Sequence, residues 1–135
     1  MGELRRHGTV GRGDVRRVGL MLRGEIRLVD LGRSLPGESA SRRPAVVVSN
    51  DGANSTAARL GHGVITLAPM TTNVTRVYPF QVLVPAAQSG LEHDSKVQAE
   101  QVRSVSIERV GRALGSVPAP LMLRVDEALR LHLSL

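Results

Sequence analysis

Cysteine is absent from the 135 residues of this sequence, which removes both disulfides and thiolate metal sites. The four histidines, His7, His62, His93 and His132, stand far apart and make no ligand pair at helical spacing. No metal site and no cofactor are therefore expected. Aromatics are nearly absent too, with Tyr78 and Phe80 the whole complement. Base-stacking RNA modules present several aromatics on their strands, so that mode of binding is excluded. Any nucleic acid must be held by arginines, backbone and small polar side chains. Long apolar runs are missing as well. The longest, Ala45 to Val48, is far short of a membrane span. The N-terminal arginines lead into no apolar stretch, so a secretory signal is not indicated. A cytoplasmic protein with no membrane association is expected.

What is present is positive charge, a formal +6. Such a balance points to a polyanionic partner, a nucleic acid or an acidic protein. Its distribution tempers that reading. Residues 1–20 hold Arg5, Arg6, Arg12, Arg16 and Arg17 against Glu3 and Asp14, which is half of the net charge. Glycines interleave these arginines without helical or strand period, and a disordered N-terminal extension is expected over 1–20. Residues 21–135 are read as a single domain, at a length where burial is sufficient but modest and dimerisation is common.

Along that domain the polar–apolar pattern changes period several times. Arg23 to Val29 alternates around Ile26 and Leu28, as a half-buried strand would. Leu31 to Arg43 collects glycine, serine and proline and reads as a long loop. Pro44 opens a β-branched run fit for a buried central strand. Asn50-Asp51-Gly52 breaks it, and Asn54 to Leu60 has room for one or two helical turns. Further strands are expected over 64–70, 80–84 and 96–102, with another strand or turn within 105–114. In the second of these, Phe80, Val82 and Val84 share a face. Near the C-terminus Leu121, Val125, Ala128, Leu129 and His132 fall on one helical face, with Met122 beside them. Five to seven short strands and a closing amphipathic helix make a mainly β, α+β fold. A twisted antiparallel sheet or a small barrel with packed helices suits that outline.

Four segments carry more than periodicity. They are Gly24-Glu25-Ile26 with Asp30-Leu31, Arg42-Arg43-Pro44 running to Asp51, Pro69-Met70-Thr71-Thr72-Asn73, and Ala99-Glu100-Gln101-Val102-Arg103-Ser104. In order and spacing they resemble the MazF/PemK-type toxins, and the C-terminal helix resembles that family's last helix. The resemblance implies an SH3-like barrel with added helices, a homodimer, and a cognate antitoxin as partner. It also implies metal-independent cutting of single-stranded RNA, leaving a 2′,3′-cyclic phosphate and a 5′-hydroxyl.

By the same resemblance Arg43 and Thr71 are the catalytic pair. Their chemistry suits the reaction. A forked guanidinium can bond two oxygens of a five-coordinate phosphorane, and a hydroxyl can hold a third oxygen or the 2′-hydroxyl. A guanidinium is a poor base in water, so electrostatic stabilisation is its expected contribution. Glu38 and Ser39 in the long loop, with Arg42, Thr72, Gln101 and Arg103, are expected to line the RNA groove. Here the loop has Gly-Glu-Ser where Gly-Ser-Glu is frequent in the family. Arg27 is another departure, at a position where an aromatic is common.

Plainer readings stand beside these. Arg42 and Arg43 suit a solvated loop end, Thr71 and Thr72 a strand-terminating turn, and Glu100 a surface strand. The leucine and valine stripe of the last helix suits a core or a dimer interface, and His62 and His93 suit surface loops. A non-catalytic toxin of the same fold, binding a protein such as DNA gyrase, is the alternative function. The ending His132-Leu133-Ser134-Leu135 lacks the aromatic such toxins use. A general DNA-binding protein would need a helix-turn-helix or ribbon motif that is not seen.

Overall fold

The run Pro44-Ala45-Val46-Val47 has no polar face to turn to water, and in the computed structural model both of its faces are covered. The structure describes residues 21–32 and 42–135. Strand β2 (Arg42–Val47) lies in the middle of a sheet. Val46 points into a core beneath the C-terminal helix, whereas Ala45 and Val47 point into a second core on the opposite face. Side chains alternate across a strand, so a strand buried on both sides reads as a continuous apolar run.

The other strands are β1 (Glu25–Asp30), β3 (Val64–Thr71), β4 (Gln81–Val84), β5 (Ser95–Gln98), β6 (Arg103–Ser106) and β7 (Val110–Ser116). They form a seven-stranded antiparallel sheet in the order β4-β5-β3-β2-β1-β7, with β6 also on β3. Helix α1 (Asp51–Leu60) is capped by Asn50, whose side chain accepts from the Ala53 N–H at 2.8 Å. A short helix α2 (Ala86–Ser89) follows β4. The closing helix α3 (Ala119–Leu133) begins behind Pro118, with Pro120 in its first turn. It buries Met122, Val125 and Ala128 against β4 and the turn after β5, with Leu121 and Leu129 half-buried. His132, expected on that stripe, is exposed in the last turn instead. Val46, Val47, Val97 and Val125 are fully buried. Each such valine contributes roughly 1.5–3 kcal/mol.

Two features depart from simple alternation. In β1, Ile26 enters the α3-side core as expected, but Arg27 on the opposite face is only 2% exposed. The reason is that β1 too is covered on both faces, with Val29 in the second core. The Arg27 guanidinium meets Glu25 at 2.9 Å and the Gly111 carbonyl at 3.1 Å, beside two register shifts between β1 and β7. The second departure is the segment expected as one strand over 96–102. β5 and β6 do run along the same edge of β3, but a 3-10 turn (Ala99–Gln101) parts them. Met70 pairs with Val97 and Leu67 with Arg103, so Ala68 and Pro69 face five residues, 98–102. Pro69 has no N–H to give a ladder, and the partner strand bulges away there.

The sheet curls until β7 meets α2. A Cβ placed on Gly115 would lie 2.2 Å from the Ser89 carbonyl oxygen, so only glycine fits that approach. Gly24, at φ +97°, is needed for a different reason. It gives its N–H to Val47 and accepts from Val117, joining the start of β1 to β2 and to the approach of α3. Among the described residues no helix is long and apolar enough to cross a membrane.

Candidate active site

The strand β2 begins two residues before Pro44, so Arg42 and Arg43 belong to the ladder and are not a loop end. Arg43 pairs with Val29 of β1. On the other side Ala45 pairs with Pro69 of β3, and the same register carried two residues further sets Arg43 across from Thr71. The Arg43 guanidinium donates from Nη2 to the Met70 carbonyl at 3.2 Å, with a longer contact of 3.5 Å to Gln98 Oε1. Both partners are neutral oxygens. Among the described residues no carboxylate neutralises this charge.

Thr71 ends β3, and its Oγ1 accepts from the Asn73 N–H at 3.2 Å. The strand-terminating turn is therefore real. It does not compete with a role in the site, because a hydroxyl accepting from backbone retains its own O–H to donate. Arg43, Thr71 and Thr72, with Pro44, Met70 and Ser95, line one pocket of about 180 Å³. That is several times the volume of a water.

The connection from β3 to β4 is fixed from behind by Lys96, which stands opposite Thr71 in the ladder. Lys96 is buried, and its Nζ donates to the Arg76 carbonyl at 2.6 Å and lies 5.8 Å from the centre of the Tyr78 ring. Tyr78 in turn stacks on Phe80, with ring centres 5.5 Å apart. The two aromatics of the sequence thus support one loop beside the pocket.

Not every expected residue meets there. Arg42 is exposed and pairs with Asp30, and Gln101 and Arg103 are exposed on the 3-10 turn and β6, outside the pocket lining. Arg103 reaches the Leu31 carbonyl at 3.4 Å. Glu38 and Ser39 lie outside the described residues. Glu100, expected on a surface strand, is half-buried in the 3-10 turn and accepts from Gln81 Nε2 at 2.8 Å. Its other oxygen is buried with no hydrogen-bond partner. His62 and His93 are exposed, as read from the sequence. Gln98, Ser95 and Lys96 escaped the sequence reading. Gln98 sits one residue before the motif that begins at Ala99, and its nearness to Arg43 comes only from the folding of β5 onto β3. Among the described residues no three histidine, cysteine, aspartate or glutamate side chains gather at one point.

Residues 22–133 match the family described as PemK-like, MazF-like toxin of type II toxin–antitoxin system. A Mycobacterium tuberculosis protein named endoribonuclease MazF9 is 55% identical over 107 residues, 79% of this chain and 91% of that protein. Endoribonuclease EndoA of Bacillus subtilis is 30% identical over 107 residues, 78% of this chain and 88% of its own length. A crystal structure of MazF from Deinococcus radiodurans superposes with a TM-score of 0.66 at 25% identity, covering 85% of this chain and 97% of that one. A mycobacterial endoribonuclease in complex with its cognate antitoxin gives 0.65 at 24% identity, covering 85% and 96%, and so shares the fold. By the family match over nearly the whole sheet and last helix, and by these identities, the chain belongs to the PemK-like, MazF-like toxins of type II toxin–antitoxin systems.

Proposed function

We propose that this chain is the toxin of a toxin–antitoxin pair and acts as a sequence-specific endoribonuclease on single-stranded RNA, without a metal. The observation that carries the reading is the pocket where Arg43, bonded only to neutral oxygens among the described residues, stands across from Thr71. The relatives' names as endoribonucleases support it. The ribose 2′-oxygen attacks the adjacent phosphorus and loses its proton, and the bond from phosphorus to the 5′-oxygen breaks. That oxygen takes up a proton, leaving a 2′,3′-cyclic phosphate and a 5′-hydroxyl. Charge builds on the non-bridging oxygens along the way. The Arg43 fork meets that charge, and the Thr71 O–H holds either a phosphoryl oxygen or the 2′-oxygen in line. A cytoplasmic homodimer held in check by its cognate antitoxin completes the reading. The non-catalytic, gyrase-type alternative gains no support from relatives that are named as nucleases.

The test is cleavage of a long single-stranded RNA by the purified protein in EDTA, with the ends mapped chemically. Discrete cuts ending in 2′,3′-cyclic phosphate are expected. Arg43→Ala, folded to the same circular dichroism, should make none. Retained cutting by that variant would sink the site assignment, and silence of the folded wild type on diverse RNAs would sink the nuclease reading.

A further inference from the structure

The pocket at Arg43 does not end at Thr72. A second hollow of about 360 Å³ opens beside it, and the two share Pro44, Thr72 and Ser95 as common walls. Leu91, Glu92, His93 and Leu114 form its far side. Leu91 and Leu114 are half-buried and rest on the α3-side core, whereas Glu92 and His93 stand exposed. The segment that carries them is braced from within. The Leu91 N–H donates to Ser89 Oγ at 3.0 Å, the Ala86 N–H to Asp94 Oδ1 at 2.8 Å, and Ser95 Oγ to the His93 carbonyl at 3.2 Å. From outside, the Ser89 carbonyl is pressed against Gly115 of β7. The wall is thus set before anything binds, as a discriminating site requires.

We infer that this hollow is a nucleobase pocket, taking the base next to the phosphate at Arg43, and that Glu92 selects a base with an exocyclic amine. The inference rests on the ribonuclease reading above. A nucleobase is a flat ring with apolar faces and a polar edge. The Pro44 ring and the two leucines offer apolar walls, in a chain with no aromatic to spare for stacking, and Thr72, Glu92 and His93 offer polar groups. A second phosphate would meet the Glu92 carboxylate and be repelled. An ionised carboxylate only accepts hydrogen bonds. Cytosine, adenine and guanine each bring an amine to donate, whereas uracil brings only carbonyl oxygens and one ring N–H to its pairing edge.

The full-length protein, Glu92→Ala and Glu92→Gln are each given a single-stranded RNA pool with randomised positions, and the new ends are sequenced. For the wild type, uracil should be depleted roughly tenfold at one position next to the cut, the worth of one discriminating hydrogen bond. Both variants should admit uracil there while still producing cyclic phosphate ends. An unchanged base profile in the folded variants would overturn the pocket and leave the nuclease reading standing. So would an equal loss of cutting at every sequence, since that would show a role other than selection. Absence of cutting by the wild type would overturn both.

Discussion

At the scale of single residues, the site separates groups by what their chemistry requires. In the proposed reaction Arg43 offers a planar fork to the phosphoryl oxygens, where lysine would place a single ammonium. Arg43→Lys is therefore expected to lower kcat by roughly 100-fold or more, with the fold intact. Thr71 Oγ1 accepts from the Asn73 N–H, and in the proposed reaction its O–H also donates, two functions that two substitutions resolve. Thr71→Ser keeps the hydroxyl that accepts from Asn73 and should retain most activity. Thr71→Val keeps the shape, loses the O–H, and should cost roughly 10- to 100-fold in kcat. Single-turnover rates on one defined RNA check both, and a serine variant as slow as the valine variant would show that the hydroxyl is not the operative group. The same residues show what sequence could reveal. Arg43 stands out in the sequence because it precedes the proline at the head of an apolar run, within a recognisable string. Gln98 and Lys96 do not, because Lys96 is placed by its pairing with Thr71 of β3 and Gln98 by its pairing with Gln81 of β4, contacts that join residues distant in the chain. Arg27 reads from the sequence as the polar face of a half-buried strand, and only the cover on both faces of β1 explains its burial beside Glu25.

Among the elements, legibility followed burial. β2 and β3 are covered on both faces and announce themselves as apolar runs, and α3 announces itself by its stripe. β6 and β7 do not. β7 carries Gly111, Arg112 and Gly115 and is mostly exposed, so its composition gives little sign of a strand, and it exists through its pairing with β1. The break between β5 and β6 was hidden because its cause, Pro69, lies on the opposite strand. Gly115 concentrates the element-level argument. An added methyl would lie 2.2 Å from the Ser89 carbonyl oxygen, a backbone atom that cannot rotate aside. Gly115→Ala should destabilise the protein by about 1–3 kcal/mol. It should be read as a lower urea midpoint with an unchanged m value. A midpoint within error of the wild type would mean that β7 and α2 do not meet as closely as described.

For the whole molecule the decisive quantity is where the charge lies. The formal charge of +6 divides equally, because five arginines and two acids give residues 1–20 a share of +3 and leave +3 for residues 21–135. The family match begins at residue 22, and Met21 is already buried in the core beneath α1. Removing residues 1–20 is therefore expected to leave the thermal midpoint nearly unchanged and the cleavage sequence the same. Affinity for RNA should change in a way that depends on salt. Each phosphate neutralised on a single strand contributes about 0.7 to the slope of log affinity against log salt. Loss of five arginines should flatten that slope, so the two proteins differ most at low salt and converge as salt rises. Fluorescence anisotropy with an RNA made uncleavable by 2′-deoxy substitution measures this directly. Parallel slopes for the long and short proteins would place the RNA-facing charge wholly in the folded domain. Arg42, Arg103 and the neighbours of the Arg43 pocket would then have to carry the electrostatic part of binding alone.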